Sequence, residues 1–160
     1  MKDIDRLLIQ ALLGLQGFHV LFLLLHDWLP LGTLNDLKAL RAADPNAKIV
    51  RTTLIQTLPY AVGLAGSLFW YGHPYPMWLV WWLWISYGLL FVGELQAWWI
   101  PYLLIRQPKR AERYKAMFGN TLTFLPEHNG IRPNALHVIL HAATLALLVV
   151  LAITVDPAML

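Results

Sequence analysis

At 160 residues, with 58% hydrophobic and only 13% charged side chains, the chain carries more apolar surface than a soluble fold of this size hides, and it is too apolar to be disordered. The absence of cysteine excludes disulfides, thiolate metal sites, iron–sulfur clusters and cysteine nucleophiles. The net charge of +3 does not indicate nucleic acid, because the basic residues flank apolar segments, where membrane orientation accounts for them.

Four apolar segments occur, at about 7–28, 53–71, 77–104 and 134–154, each near or above the ~20 residues a helix needs to cross a ~30 Å hydrocarbon layer. They predict an all-α fold, an integral membrane four-helix bundle, filling the chain as a single four-pass domain. The first segment follows Lys2, Asp3, Asp5 and Arg6, and no small-residue cleavage site comes after it, so it reads as a retained span rather than a cleaved signal. It ends at His26-Asp27-Trp28 and Pro30. A polar stretch to Arg51 follows, with a short helix predicted at 34–43. In the second segment Pro59 removes a backbone donor and frees a carbonyl near Ile55, and Gly63, Gly66 and Ser67 offer a small surface for close helix approach.

His73-Pro74-Tyr75-Pro76 predicts a tight turn. The third segment is unusually long, and Pro101 and Pro108 are expected to bend or end it. Beyond it, 111–118 reads as an amphipathic helix carrying Tyr114, Met117 and Phe118, capped by Gly119-Asn120, and Asn134 is placed to N-cap the fourth span. Trp70, Tyr71, Tyr75 and Trp78 are expected at one membrane edge and Trp98, Trp99 and Tyr102 at the other, while Trp81, Trp82 and Trp84 lie deeper against lipid and neighbouring helices.

Of the 12 basic residues, all but Lys2 and Arg6 fall in the first and third connections: Lys38, Arg41, Lys48 and Arg51, then Arg106, Lys109, Arg110, Arg113, Lys115 and Arg132. Positive charge gathers on the cytoplasmic side, so these loops are expected there and both termini on the non-cytoplasmic side. The expected location is a bacterial inner membrane.

Ionisable groups in lipid are costly unless they are paired or face the bundle interior, which singles out His19, Glu94, His137 and His141. Counted from the cytoplasmic ends, these and Gln56 fall at one depth in the cytoplasmic half. His137 and His141 are four apart and share a helix face. Glu94, His137 and His141 are the candidate catalytic residues, with Glu94 as general acid or base. The same three are candidate ligands for Zn, Fe or, through two histidines, haem. The spacing H-x-x-x-H has Val138 where a metalloprotease has glutamate. His19, Gln56, Arg132 and Asn134 are candidate ligand-binding residues, with Arg132 suited to an anionic headgroup through its planar fork. Structural hydrogen bonding between helices would account for the same residues, as would a proton pathway.

The short-looped four-span layout, with Gln56-Thr57-Leu58-Pro59 in span two and Arg132-Pro133-Asn134-Ala135-Leu136-His137 opening span four, resembles the EXPERA four-helix proteins, which include sterol isomerases and sterol-binding receptors. That resemblance implies a lipophilic cavity lined by acidic residues on the first helices. Here the comparable position in span two is Gln56, an amide that cannot supply the charge. The sequence therefore points to a small membrane protein whose His/Glu pocket binds a lipophilic ligand or metal, with acid–base or metal-assisted chemistry in view. The alternatives are a non-catalytic accessory subunit of a larger membrane complex and a proton-coupled transporter or channel. Membrane lipid is the expected partner, with a homo-oligomer or a larger complex also open, and no nucleic acid.

Overall fold

The computed structural model describes residues 3–154, which are helical apart from turns and one isolated bridge between His128 and Ile131. Helices α1 (Asp3–Leu25), α2 (Leu37–Ala43), α3 (Asn46–Phe69) and α4 (Met77–Glu94) come first. A π-helical turn (Leu95–Trp99), α5 (Ile100–Leu103), α6 (Pro108–Phe118) and α7 (Ala135–Thr154) complete the chain. The extreme termini, including Lys2 and the tail after Thr154, lie outside the described residues, as does the expectation about their location.

Three helical stretches are long and apolar enough to cross a membrane: Arg6–Leu25, Met77–Leu103 and Ala135–Thr154. This is a membrane protein by that measure. Helix α3 has comparable length, but it starts at Asn46 rather than at 53, so its first turns carry Lys48 and Arg51. The long helices form a closed ring, α1 packing on α3 and α7, and α4 on α3 and α7.

The buried faces follow helical periodicity. Leu12, Gln16, His19 and Leu23 of α1 and Leu140, Thr144, Leu147 and Leu151 of α7 recur at spacings of four, three and four, so each forms one inward stripe. Large apolar side chains face outward instead of being hidden, among them Leu21, Ile55, Leu58, Ile85, Leu89 and Val149. Such a surface is stable against lipid and unstable against water.

Near the turn at 70–76, α3 and α4 approach closely. A Cβ on Gly66 would stand 2.8 Å from Leu79 Cδ1 and one on Gly63 would stand 3.0 Å from Leu83 Cδ2, so glycine is what lets these helices touch. Trp82 Nε1 donates to the carbonyl of Pro59 at 2.8 Å across the same contact.

The two connections expected as separate loops form a joint cap over the other end of the ring. Asp44 accepts from Lys48 at 2.6 Å and Arg113 at 2.7 Å, tying the α2–α3 corner to α6. Leu122 N donates to the carbonyl of Thr33 at 2.7 Å, and Leu40, Ile49 and Met117 bury against Trp28 and Phe118. Asn129 and Gly130, both with positive φ, turn the chain back on itself between His128 and Ile131, a conformation that Asn-Gly adopts readily. Helix α6 starts at Pro108, not 111, so Pro108 begins a helix, the preceding one having already ended at Leu103. The cap also corrects the aromatic reading: Trp98 and Tyr102 are buried in it, Trp98 stacking on Tyr114 with ring centres 4.3 Å apart, and do not line the lipid edge.

Candidate functional site

Toward the capped end lies a cavity of about 420 Å³, open along one side and lined by α1, α3, α4, the π turn and α7. Leu23, Leu89, Leu90 and Leu140 supply apolar wall, and Gln56, Glu94, His137 and His141 supply polar groups, so four of the sequence candidates meet at one space. Leu89, Gly93 and Gln56 are exposed at its edge. The opening therefore lies beside α3 and α4, beyond the Pro59–Trp82 and Tyr60–Tyr87 contacts that join them.

The π turn explains how one helix presents several groups to α7. Its hydrogen bonds run to the fifth residue instead of the fourth, which widens the turn and brings Trp99 round toward the side that Glu94 occupies. Ile100 N bonds the carbonyl of Leu95, and Pro101 has no N–H for the carbonyl of Ala97 four residues before it. The cap replaces these donors: the Arg110 guanidinium bonds the carbonyls of Gln96 and Ala97, and the Tyr114 hydroxyl donates to Ala97 at 3.0 Å. Burial holds the Tyr114 phenol above its usual range, so it remains a donor.

His137 and His141 each have one ring nitrogen committed to the protein, while His26, also on the lining, has both engaged, with the Phe22 carbonyl and Asp27. His141 Nδ1 accepts from Trp99 Nε1 at 3.0 Å, and since an indole only donates, His141 carries its hydrogen on Nε2. His137 Nδ1 faces Asn134 Oδ1, which only accepts, so His137 carries its hydrogen on Nδ1 and offers an Nε2 lone pair. The same Asn134 oxygen accepts from His137 N at 3.2 Å, the N-cap role expected of it. Trp98 packs on the His137 ring at 4.3 Å, and Phe118 at 5.0 Å.

Glu94 is 6% exposed. Its Oε1 lies 2.8 Å from the Thr144 hydroxyl, while Oε2 is buried with no hydrogen-bond partner. A buried carboxyl oxygen left unpaired at a cavity costs stability, and a ligand hydrogen-bond donor would remove that cost. His19 does not line the cavity. It sits fully buried behind Thr144, with Nε2 3.0 Å from that hydroxyl. Arg132 stands apart, on an exposed crevice with Tyr114, Lys115 and Glu127. Among the described residues no three His, Asp or Glu side chains gather as a set able to hold a metal ion.

Thr144 is the residue that sequence reasoning missed. A threonine in an apolar helix reads as a small core filler, though its position three after His141 and seven after His137 puts it on their face. Trp99 was assigned to the membrane edge, and only the π turn redirects it. No protein-family model, no curated protein and no solved structure matches this chain. The functional reading accordingly rests on the geometry.

Proposed function

We propose that this is a four-pass membrane protein that binds an uncharged lipophilic molecule with a hydroxyl or keto head, taken up sideways from the cytoplasmic leaflet between α3 and α4. Helix α3 crosses as the fourth span, its Lys48 and Arg51 remaining with the cap at the cytoplasmic face, and both termini lie on the opposite side. A bacterial inner membrane is the proposed location. The carrying observation is that Glu94 lines an apolar-walled cavity while its Oε2 is buried with no hydrogen-bond partner.

The polar points around it set the head group. Glu94 Oε2 and His137 Nε2 accept and His141 Nε2–H donates, a set that fits a neutral hydroxyl or carbonyl. The walls fit a hydrocarbon body. Saturation binding of radiolabelled lipophiles that share a body and differ in head, as hydroxyl, keto, amine or hydrogen, tests this reading. Hydroxyl and keto members are expected to bind tightest. Glu94→Leu, which removes both oxygens, is expected to weaken the hydroxyl member by about 1–3 kcal/mol, roughly tenfold to a hundredfold. Equal affinity across the heads, or no loss in Glu94→Leu, would overturn it.

A further inference from the structure

The hydrogen bonds around Thr144 cannot all be made by the protons one hydroxyl has. Thr144 Oγ1 lies 2.8 Å from Glu94 Oε1, 3.0 Å from His19 Nε2 and 3.0 Å from the carbonyl of Leu140. It holds a single hydrogen. His19 Nδ1 is 2.7 Å from the carbonyl of Leu15, which only accepts, so His19 keeps a hydrogen on Nδ1. A neutral His19 then has a bare lone pair at Nε2, which needs the Thr144 hydrogen. A Glu94 carboxylate would need the same hydrogen.

Two arrangements satisfy all three groups. In one, Glu94 is a carboxylic acid whose Oε1–H donates to Thr144 Oγ1, and the Thr144 hydroxyl donates to His19 Nε2. In the other, each proton has moved one bond along: His19 is an imidazolium donating from Nε2 to Thr144, which donates to a Glu94 carboxylate. No proton is gained or lost between them. They differ only in where charge stands.

From this we propose that Glu94, Thr144 and His19 form a proton relay that connects the cavity to a proton store at His19. A donor in the cavity passes a proton to Glu94 Oε2. The proton on Oε1 moves to Thr144 Oγ1, and the Thr144 hydrogen moves to His19 Nε2. His19 ends as an imidazolium, Glu94 is again a neutral acid, and the donor has lost one proton; the reverse sequence returns it. When the Thr144 hydroxyl turns to the Leu140 carbonyl, the chain is open. The surroundings isolate the store. His19 is fully buried, Tyr87 meets its ring edge-on at 5.2 Å, and Tyr60 lies against Tyr87 at 5.1 Å. The other titratable groups facing the relay are His137 and His141 on α7 and His26 just after α1, all at the cavity. The relay deepens the cavity reading, since that reading supplies the donor or acceptor at Oε2.

The route itself is testable with no ligand. In lipid nanodiscs of the full chain, at a pH low enough to hold His19 as an imidazolium, exchange of its Nε2 proton with D2O is followed by ring ¹⁵N NMR, the Nδ1 hydrogen staying on the Leu15 carbonyl and the signals being assigned with His19→Gln. The route through Thr144 and Glu94 predicts that Thr144→Val and Glu94→Gln each slow this exchange by about tenfold or more, with backbone amide exchange in α1 unchanged. Thr144→Ser, which keeps the hydroxyl, restores the wild-type rate. Wild-type exchange in Thr144→Val or Glu94→Gln, or slow exchange in Thr144→Ser, would overturn the relay. If Thr144→Val does not fold, Glu94→Gln and Thr144→Ser decide alone. Failure here leaves the head-group preference standing, and failure of that preference leaves the exchange result standing.

Discussion

At the scale of single residues, function depends on how each cavity group is held by a partner that faces away from the cavity. Asn134 fixes the His137 tautomer, Trp99 fixes that of His141, and Thr144 holds one oxygen of Glu94. Trp99→Phe removes the donor to His141 Nδ1 and keeps most of the ring. It is expected to cost about 1–3 kcal/mol of stability, and to let the His141 hydrogen populate both nitrogens. Thermal unfolding and ring ¹⁵N shifts read the two effects, and an unchanged tautomer would contradict them. The carboxyl and imidazoles of this site were legible in the sequence because ionisable groups in apolar helices are conspicuous. Thr144 and Trp99 were not, since hydroxyls and indoles are common in such helices and their roles come from a neighbouring helix.

At the scale of elements, the cap joins the two long connections over one end of the bundle. Arg110 is its clearest joint, because it supplies donors to the carbonyls that the π turn and Pro101 leave without partners. Arg110→Ala is expected to destabilise by about 1–3 kcal/mol, read by thermal unfolding, with faster amide exchange in α6 than in α1. Equal exchange changes in both helices would show that the cap is not a separate unit. Asp44 gives the cap a pH dependence. Its hydrogen bond from Lys48, with a further one from Arg113, holds the carboxyl below its usual range. A folded value below the unfolded one means that this stabilisation is complete above the unfolded value of about 3.9 and is lost as pH falls through the folded value. Asp44→Asn is therefore expected to flatten the fall in stability below about pH 4, and an unchanged slope would contradict the assignment. The long helices were legible from hydropathy and period alone. The cap was not, because its contacts join residues such as Thr33 and Leu122, or Asp44 and Arg113, that lie far apart in the chain and carry no local pattern.

At the scale of the whole molecule, three stretches meet the length and apolarity of a membrane span, and α3 completes the ring with them. The cysteine-free chain makes its topology directly measurable. In oriented cells, single replacements Lys38→Cys and Lys109→Cys are expected to react with a membrane-impermeant thiol reagent from the cytoplasmic side, and His73→Cys from the other. Reaction of His73→Cys on the same side as Lys38→Cys would show that α3 does not cross. With α3 across, the apolar-walled cavity opens beside α3 and α4 on the outer surface of the ring.

The occupant of that cavity is the central claim, and native mass spectrometry of the protein purified in mild detergent tests it most directly. The wild-type chain is expected to carry one lipophilic adduct bearing a hydroxyl or keto group, and equally folded Glu94→Leu, which has no side-chain oxygen, to emerge largely bare. An adduct retained equally by both, or an amine or phospholipid in its place, would contradict the assignment of Glu94 Oε2 as the anchor.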